Sequence, residues 1–170
     1  NRAVHLLCQR VNLDKLGLKN LASKAAVAIL RYCNIVPADY LFYKAGEVME
    51  NQNNFEAALV FYNRFIDITE AVSEGNLKGA DIDQTPFEGT DIPRELCLRK
   101  QICVPQDVVS HIHDWILDKT VSANLEGKVP HAPCGRCGRN VWAAGLTCMI
   151  CRTEFSFCHI TGYPVINPTQ

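Results

Sequence analysis

Apolar residues recur at helical spacing from residue 3 to residue 73. The pattern is clearest from Phe55 onward, where positions i, i+3, i+4, i+7, i+10 and i+11 are all apolar. It predicts four helices, the first with a buried face of Val4, Leu7, Cys8 and Val11, and the others over residues 18–33, 40–50 and 53–74. A capping box of Asn53 and Glu56 is predicted to begin the fourth helix, and Gly75 to end it.

The third and fourth helices are predicted to pack as an antiparallel pair, because the turn between them is short. Ala45, Gly46 and Ala58 would lie at their crossing and let the two backbones approach. The pair resembles a tetratricopeptide (TPR) repeat in its pattern of Phe42, Ala45, Gly46, Met49, Ala58, Tyr62 and Phe65. We therefore predict TPR-like helical repeats over residues 1–75. Because two repeats are too few for a free-standing solenoid, we expect the chain to be part of a longer protein.

Two segments separate these helices from the C-terminal region. Residues 76–105 lose all periodicity and are rich in Gly, Pro and acidic residues, so they are predicted to form an acidic linker lying over the surface. Residues 106–129 are predicted to be a connecting helix that ends at Gly127. Its apolar face would consist of Val108, His111, Ile112, Trp115 and Ile116, with His111 half-buried as a packing residue.

The cysteines are concentrated near the C-terminal end, where five of the nine lie at or after position 134. Four of these form the pattern C-x2-C-x10-C-x2-C, on Cys134, Cys137, Cys148 and Cys151. Two such turns, called zinc knuckles here, can each present two thiolates to one Zn2+ ion. Four thiolates leave no open coordination position, so the spacing predicts one structural zinc per chain and no catalytic metal.

The residues between the two knuckles are predicted to form a hairpin over 140–147, with Gly145 at its turn. Val141, Trp142 and Leu146 would cover the metal. Two other ligand arrangements stay open at this point, since Cys158 or His131 could replace one of the four cysteines. A redox dithiol is a further alternative, although two matched knuckles without a thioredoxin-like context favour the metal.

The charge balance and the length of the apolar runs bear on two classes of partner, nucleic acid and membrane. The 170 residues carry 17 Lys and Arg against 18 Asp and Glu, and nucleic-acid binding needs a concentrated basic excess. The arginines around the knuckles form only a small patch, so we expect no nucleic acid as partner. The longest apolar run, residues 25–30, is far too short to span a bilayer, so we expect no membrane insertion.

Five blocks of sequence, in their order and spacing, resemble the C-terminal part of the intraflagellar transport protein 172 family. The blocks are residues 65–77, 90–93, 104–105, 114–117 and 158–165. The resemblance implies a subunit of the B complex that moves cargo along cilia. It also implies location in the cilium or flagellum and the cytoplasm, with other intraflagellar transport subunits as partners.

The tail has a second resemblance. It is similar to the opening of a U-box and consists of residues 157–162, Phe-Cys-His-Ile-Thr-Gly, followed by Pro164 and Val165. His159 stands where the U-box has Pro. U-boxes dock ubiquitin-conjugating enzymes, and the resemblance places Ile160 and Pro164 in that contact. It implies ubiquitin or a conjugating enzyme as alternative partner and, if the chain is an enzyme, E3 ubiquitin-protein ligase activity.

These observations predict a mostly α protein, with TPR-like helical hairpins followed by a small zinc-bound α+β module of zinc-ribbon or U-box type over residues 130–170. The leading interpretation is a non-enzymatic, protein-binding scaffold without catalytic residues. Ile160, Tyr163 and Pro164 are the predicted docking surface, because they form an apolar group directly after the knuckles. The alternative is that they pack against the helix containing Trp115.

Overall fold

Five α-helices and one two-stranded sheet form the part of the chain that the computed structural model describes, residues 1–79 and 81–166. The helices are α1 (Arg2–Lys15), α2 (Lys19–Ala28), α3 (Ala38–Asn51), α4 (Phe55–Ser73) and α5 (Gln106–Leu117). The strands β1 (His131–Pro133) and β2 (Asn140–Trp142) pair in antiparallel register, with His131 opposite Trp142. Short 3-10 turns cover Ile29–Tyr32 and Thr85–Phe87. The prediction of a mostly α protein with a small sheet is confirmed.

The antiparallel pair of α3 and α4 is also confirmed, and it supplies half of the buried residues of the largest hydrophobic cluster, called the main core here. The rings of Tyr43 and Phe65 pack at a tilt of 48°, with centroids 5.6 Å apart, while Gly46 lies under the ring of Tyr62. Tyr62 is fully buried and its hydroxyl donates to Glu50 at 2.7 Å. The absence of a side chain at position 46 is what lets the aromatic ring reach the backbone of α3.

The ends of α4 are set by local hydrogen bonds. Its N-cap is Asn54, whose side chain accepts from the N–H of Ala57, so the capping box predicted at Asn53 was wrong. Asn53 adopts a positive φ of 58° and belongs to the preceding turn. Gly75 ends the helix as predicted, because its φ of 75° completes a Schellman motif in which the N–H of Asn76 donates to Ala71 at 2.8 Å.

The buried face of α1 differs from the predicted one. Its buried residues are Ala3, Leu6, Arg10 and Leu13, whereas Val4, Cys8 and Val11 are exposed. Both sets lie at helical spacing, so periodicity alone could not choose between them. Contacts with other segments decide the face: the guanidinium of Arg10 donates to the hydroxyl of Tyr40, and Leu6 packs in the main core.

The described residues of the segment 76–105 contain one 3-10 turn, Thr85–Phe87, and otherwise irregular structure, and they are anchored in the main core. Ile82, Phe87, Ile92 and Val104 are buried there, and the ring of Phe87 lies 5.5 Å from that of Phe42. The main core also contains residues from the other three predicted parts of the chain. The domain boundaries stay a prediction, and residues 167–170 of the predicted C-terminal module lie outside the described residues.

The connecting helix is shorter than predicted. α5 ends at Leu117, where a π-type turn over Asp118–Ser122 follows, and the hydroxyl of Thr120 bonds the carbonyl of Ile116 at 2.7 Å. Gly127 does not end the helix; a Cβ added there would lie 3.1–3.2 Å from Val60, so this glycine permits close approach to α4. His111 is exposed and not half-buried as expected.

Gly46→Ala tests the close crossing of α3 and α4. A Cβ at this position would lie 2.3 Å from the Tyr62 ring, which is only 1% exposed. Alanine gains about 1 kcal/mol of helix propensity, but the clash with a confined ring outweighs it. We expect the free energy of unfolding in urea to fall by about 2 kcal/mol.

Asn63→Ala is the matched control, because Asn63 lies on the exposed face of α4. This variant should lose no more than about 0.5 kcal/mol. If Gly46→Ala were as stable as the control, the close approach would not constrain the helix pair.

Candidate metal centre

The four cysteines of the C-x2-C-x10-C-x2-C pattern converge in space. Their sulfur atoms all lie within 4.8 Å of one another, and two of the pairs, Cys134–Cys151 and Cys137–Cys148, are separated by 3.8 Å. A tetrahedral zinc ion with Zn–S bonds of about 2.3 Å requires an S–S separation of about 3.8 Å. Disulfide sulfurs would lie about 2.05 Å apart, and all four thiols are free. The group therefore has the geometry to hold one metal ion.

Both knuckles use the same backbone turn. The N–H of Gly138 donates to the carbonyl of Cys134 at 2.9 Å, and the N–H of Arg152 donates to that of Cys148 at 2.8 Å. Gly138 and Arg152 have positive φ values of 70° and 61°. The glycine adopts this conformation without strain, whereas Arg152 adopts it at a cost. The turn also directs the N–H of Cys151 at the sulfur of Cys148, 3.4 Å away.

The environment of the sulfurs favours ionised thiols at some positions. The hydroxyl and backbone N–H of Thr153 lower the pKa of Cys151 to about 6. Backbone N–H groups of Cys137 and Arg136 lower the pKa of Cys134. The N–H of Arg139 lowers the pKa of Cys137 as well, but desolvation and the adjacent sulfurs outweigh it and raise the value to about 11. Thiolate is the form that binds metal.

Three exposed arginines surround the knuckles, Arg136, Arg139 and Arg152. A divalent ion with four thiolates carries a net charge of −2, so nearby cations would offset the charge of the loaded site. Arg136 is held in place by a hydrogen bond to the Thr153 hydroxyl at 3.3 Å.

The hairpin of the module is not the one predicted. β1 and β2 flank the first knuckle, whereas the sequence pattern predicted a hairpin over residues 140–147. Val141 packs against Cys134 and Cys148 as expected. Trp142 points the other way, into the main core, and its indole N–H donates to Asp91 at 2.8 Å. Successive residues of a strand face opposite sides, which is why only one of the two can cover the sulfurs.

A third loop with the same turn follows the two knuckles, and the sequence analysis missed it. The N–H of Gly162 donates to the carbonyl of Cys158 at 2.7 Å, and Gly162 has a φ of 68°. Thr161 occupies the position of the second cysteine, and its hydroxyl and N–H lower the pKa of Cys158. The sequence signal for this loop is the pattern C-x2-T-G at residues 158–162, which matches C-x2-C-G at residues 134–138 except for the second cysteine. Cys158 and His131 are not part of the sulfur cluster.

The residues predicted as a docking surface differ in accessibility. Ile160 is 50% exposed at the tip of the third loop. Tyr163 packs against the main core, and Lys24 of α2 lies 5.7 Å from the centroid of its ring. Pro164 is half-buried and bridges to Phe157. Ile160 is therefore the most accessible member of the group, and its role in docking stays a prediction.

Arg31 joins the module to the helices. Its guanidinium donates to the carbonyl of Ala144 at 2.6 Å and to that of Gly162 at 2.8 Å, and forms an ion pair with Asp91 at 3.3 Å. Burial lowers the pKa of Arg31, while Asp91 raises it. The Arg31 side chain thus fixes two parts of the module, the segment between the two knuckles and the third loop. It holds them near the end of α2 and near Asp91 of residues 76–105.

Comparison with known proteins gives a consistent result. No protein-family model matches the chain, and no helix in the described part is long and apolar enough to cross a membrane. The chain is 34% identical over 88% of its length to the intraflagellar transport protein 172 homolog of Rattus norvegicus. It is 28% identical over 96% to intraflagellar transport protein 172 of Chlamydomonas reinhardtii, and 30% identical over 98% to intraflagellar transport protein osm-1 of Caenorhabditis elegans.

The matches extend through the helices and into the cysteine module, since up to 98% of the chain is aligned. The chain spans about a tenth of the length of these relatives, between 8% and 10%. The mammalian and algal relatives are both named intraflagellar transport protein 172, and the nematode relative is also named an intraflagellar transport protein, which agrees with the resemblance found in the sequence blocks. The chain belongs to the intraflagellar transport protein 172 family.

Proposed function

We propose that this chain is a protein-binding segment of the intraflagellar transport B complex, and that it works in the cilium or flagellum with other intraflagellar transport subunits as partners. The observation that carries the proposal is the match of almost the whole chain to proteins named for intraflagellar transport. Packed helix faces and tight loops present rigid surfaces, which lose little conformational entropy on binding.

The C-terminal module is proposed to depend on one structural zinc ion. The support is the separation of the sulfurs, which matches a tetrahedral thiolate site. The core around them is small: Val141 is buried and Phe155 is partly buried. A module with so few apolar contacts gains much of its folding free energy from its metal.

Cys148→Ser tests the metal proposal. Cys148 is fully buried within the cluster, and serine replaces a thiolate by a weak ligand. Native mass spectrometry should find one zinc per wild-type chain and none, or a much reduced fraction, in the variant. Cys103→Ser is the matched control, because Cys103 is exposed and lies outside the cluster.

The control should bind zinc like the wild type. A wild-type chain that is folded and free of metal after purification with added zinc would contradict the proposal. Equal zinc content in both variants would show that the ion is held elsewhere.

The exposed side of the module is the proposed partner surface. Ile160 is half exposed, and so are Met149 and Ile150 at the tip of the second knuckle. Apolar side chains at the tips of tight loops are costly to leave in water and are typical anchors of protein interfaces. The ubiquitin alternative would use the same Ile160. The names of the relatives refer to transport alone, so we place transport first.

Ile160→Asp tests this surface, with Val121→Asp as control, because Val121 is 78% exposed and belongs to the turn after α5. Binding of purified B-complex subunits is measured by calorimetry. We expect Ile160→Asp to weaken binding at least about tenfold, since an anchor contributes about 2 kcal/mol. The control should bind like the wild type.

Equal binding of the two variants would contradict a docking role for Ile160. If only a ubiquitin-conjugating enzyme bound, with the same sensitivity to Ile160→Asp, the ubiquitin alternative would replace the transport proposal.

A further inference from the structure

A pocket of about 420 Å3 opens between α1, α2 and α3. Pockets that hold small ligands or single side chains of a peptide begin at about 300 Å3. None of its lining residues belongs to the cysteine module, so the pocket does not depend on the proposed metal. Its lining is largely polar and includes Arg10, Asp14, Lys19, Lys44, Glu47 and Gln52.

Arg10 is the unusual residue of this pocket, because it is buried without a counter-ion. Arg10 is only 8% exposed to solvent. Nη2 donates to the Tyr40 hydroxyl at 2.7 Å, and Nε is buried without a hydrogen-bonding partner. Among the described residues, no carboxylate lies within ion-pair distance of the guanidinium. A buried charge without a counter-ion costs several kcal/mol, so an anion that reached this guanidinium through the pocket would stabilise it.

Arg31 and Arg64 also have a buried Nε without a hydrogen-bonding partner, as Arg10 does, and differ from it in the partners of their other guanidinium nitrogens. Arg31 pairs with Asp91 and donates to two carbonyls. Arg64 donates to the side chain of Gln84 and to the carbonyl of Asp83, and lies 4.3 Å from the centroid of the Phe87 ring. Both have structural partners on several sides. Arg10 has one neutral oxygen and lines an open pocket.

The charges of the lining define the anion. Lys44 is already neutralised by Glu47, with a nitrogen–oxygen distance of 2.6 Å. Arg10 and Lys19 then face a single carboxylate, Asp14, which leaves one positive charge in excess. One excess charge matches a carboxylate better than a phosphate dianion.

We propose that this pocket binds a carboxylate of an acidic peptide segment, supplied by a partner protein, with Arg10 as its buried anchor and Lys19 at its exposed rim. The side-chain amide of Gln52 donates to the Ser23 hydroxyl at 2.7 Å and so fixes one wall of the pocket, where Asn51 offers a neutral amide to a peptide. The interaction lies on the helical hairpins and extends the proposed function beyond the cysteine module.

The test is fluorescence polarisation on the full chain with a labelled peptide, Ser-Gly-Ser-Glu-Ala-Asp, and its neutral analogue Ser-Gly-Ser-Gln-Ala-Asn-amide. The acidic peptide should bind and the analogue should not. Arg10→Met should weaken binding at least about tenfold, because it removes the positively charged anchor of the pocket. The acidic peptide with an amidated end distinguishes a side-chain carboxylate from a chain terminus.

Lys19→Gln provides a second variant if Arg10→Met lowers stability, because Lys19 is exposed. It should weaken binding several-fold, while Lys128→Gln, an exposed lysine outside the pocket, should not. Equal affinity for the acidic and neutral peptides, or equal binding by all variants, would overturn the proposal. Displacement of the peptide by inorganic phosphate at lower concentration than by free peptide would overturn the peptide assignment in favour of a phosphate site.

Discussion

The contact between β2 and the helical core is the interaction on which the rest of the structure depends. Val141 faces the four sulfurs, and its neighbour Trp142 faces the main core, so one strand belongs to both packing units. Arg31 secures the same junction through the carbonyls of Ala144 and Gly162. Because Val141 and Trp142 are adjacent on one strand and face opposite sides, a displacement of either side chain shifts the strand and disturbs the packing on its other side. The packing around the sulfurs and the packing of the helical core are therefore coupled.

This arrangement explains how a small cysteine module gains a defined position. Its own core is small, and the helices supply further contacts through Trp142 and Arg31. The three loops that share one backbone turn lie at successive points of the module, two with paired thiols and the third with Cys158 and Thr161. The third loop is closed by the hydrogen bond from Gly162 to Cys158, and Tyr163 beside it lies near Lys24 of α2. Ile160 is left exposed at its tip.

The sequence allowed prediction of features that depend on local spacing. Helix α4 and the pairing with α3 follow from periodicity and a short turn, and the sulfur cluster follows from two C-x2-C turns. Features decided by contacts between distant parts of the chain were not predictable. The buried face of α1 depends on the contact of Arg10 with Tyr40, and the direction of the Trp142 side chain depends on its hydrogen bond to Asp91. The third loop was missed because threonine is not a zinc ligand, although its turn is that of a knuckle.

Hydrogen exchange measured by mass spectrometry, before and after removal of divalent metal with a chelator, tests the central claim most directly. The account predicts that amides of residues 131–163 lose protection, Gly138 and Arg152 among them, because their turns are fixed by the ion, while the amides of α3 and α4 remain protected. Unchanged protection of residues 131–163 in a chain verified to be metal-free would contradict the account.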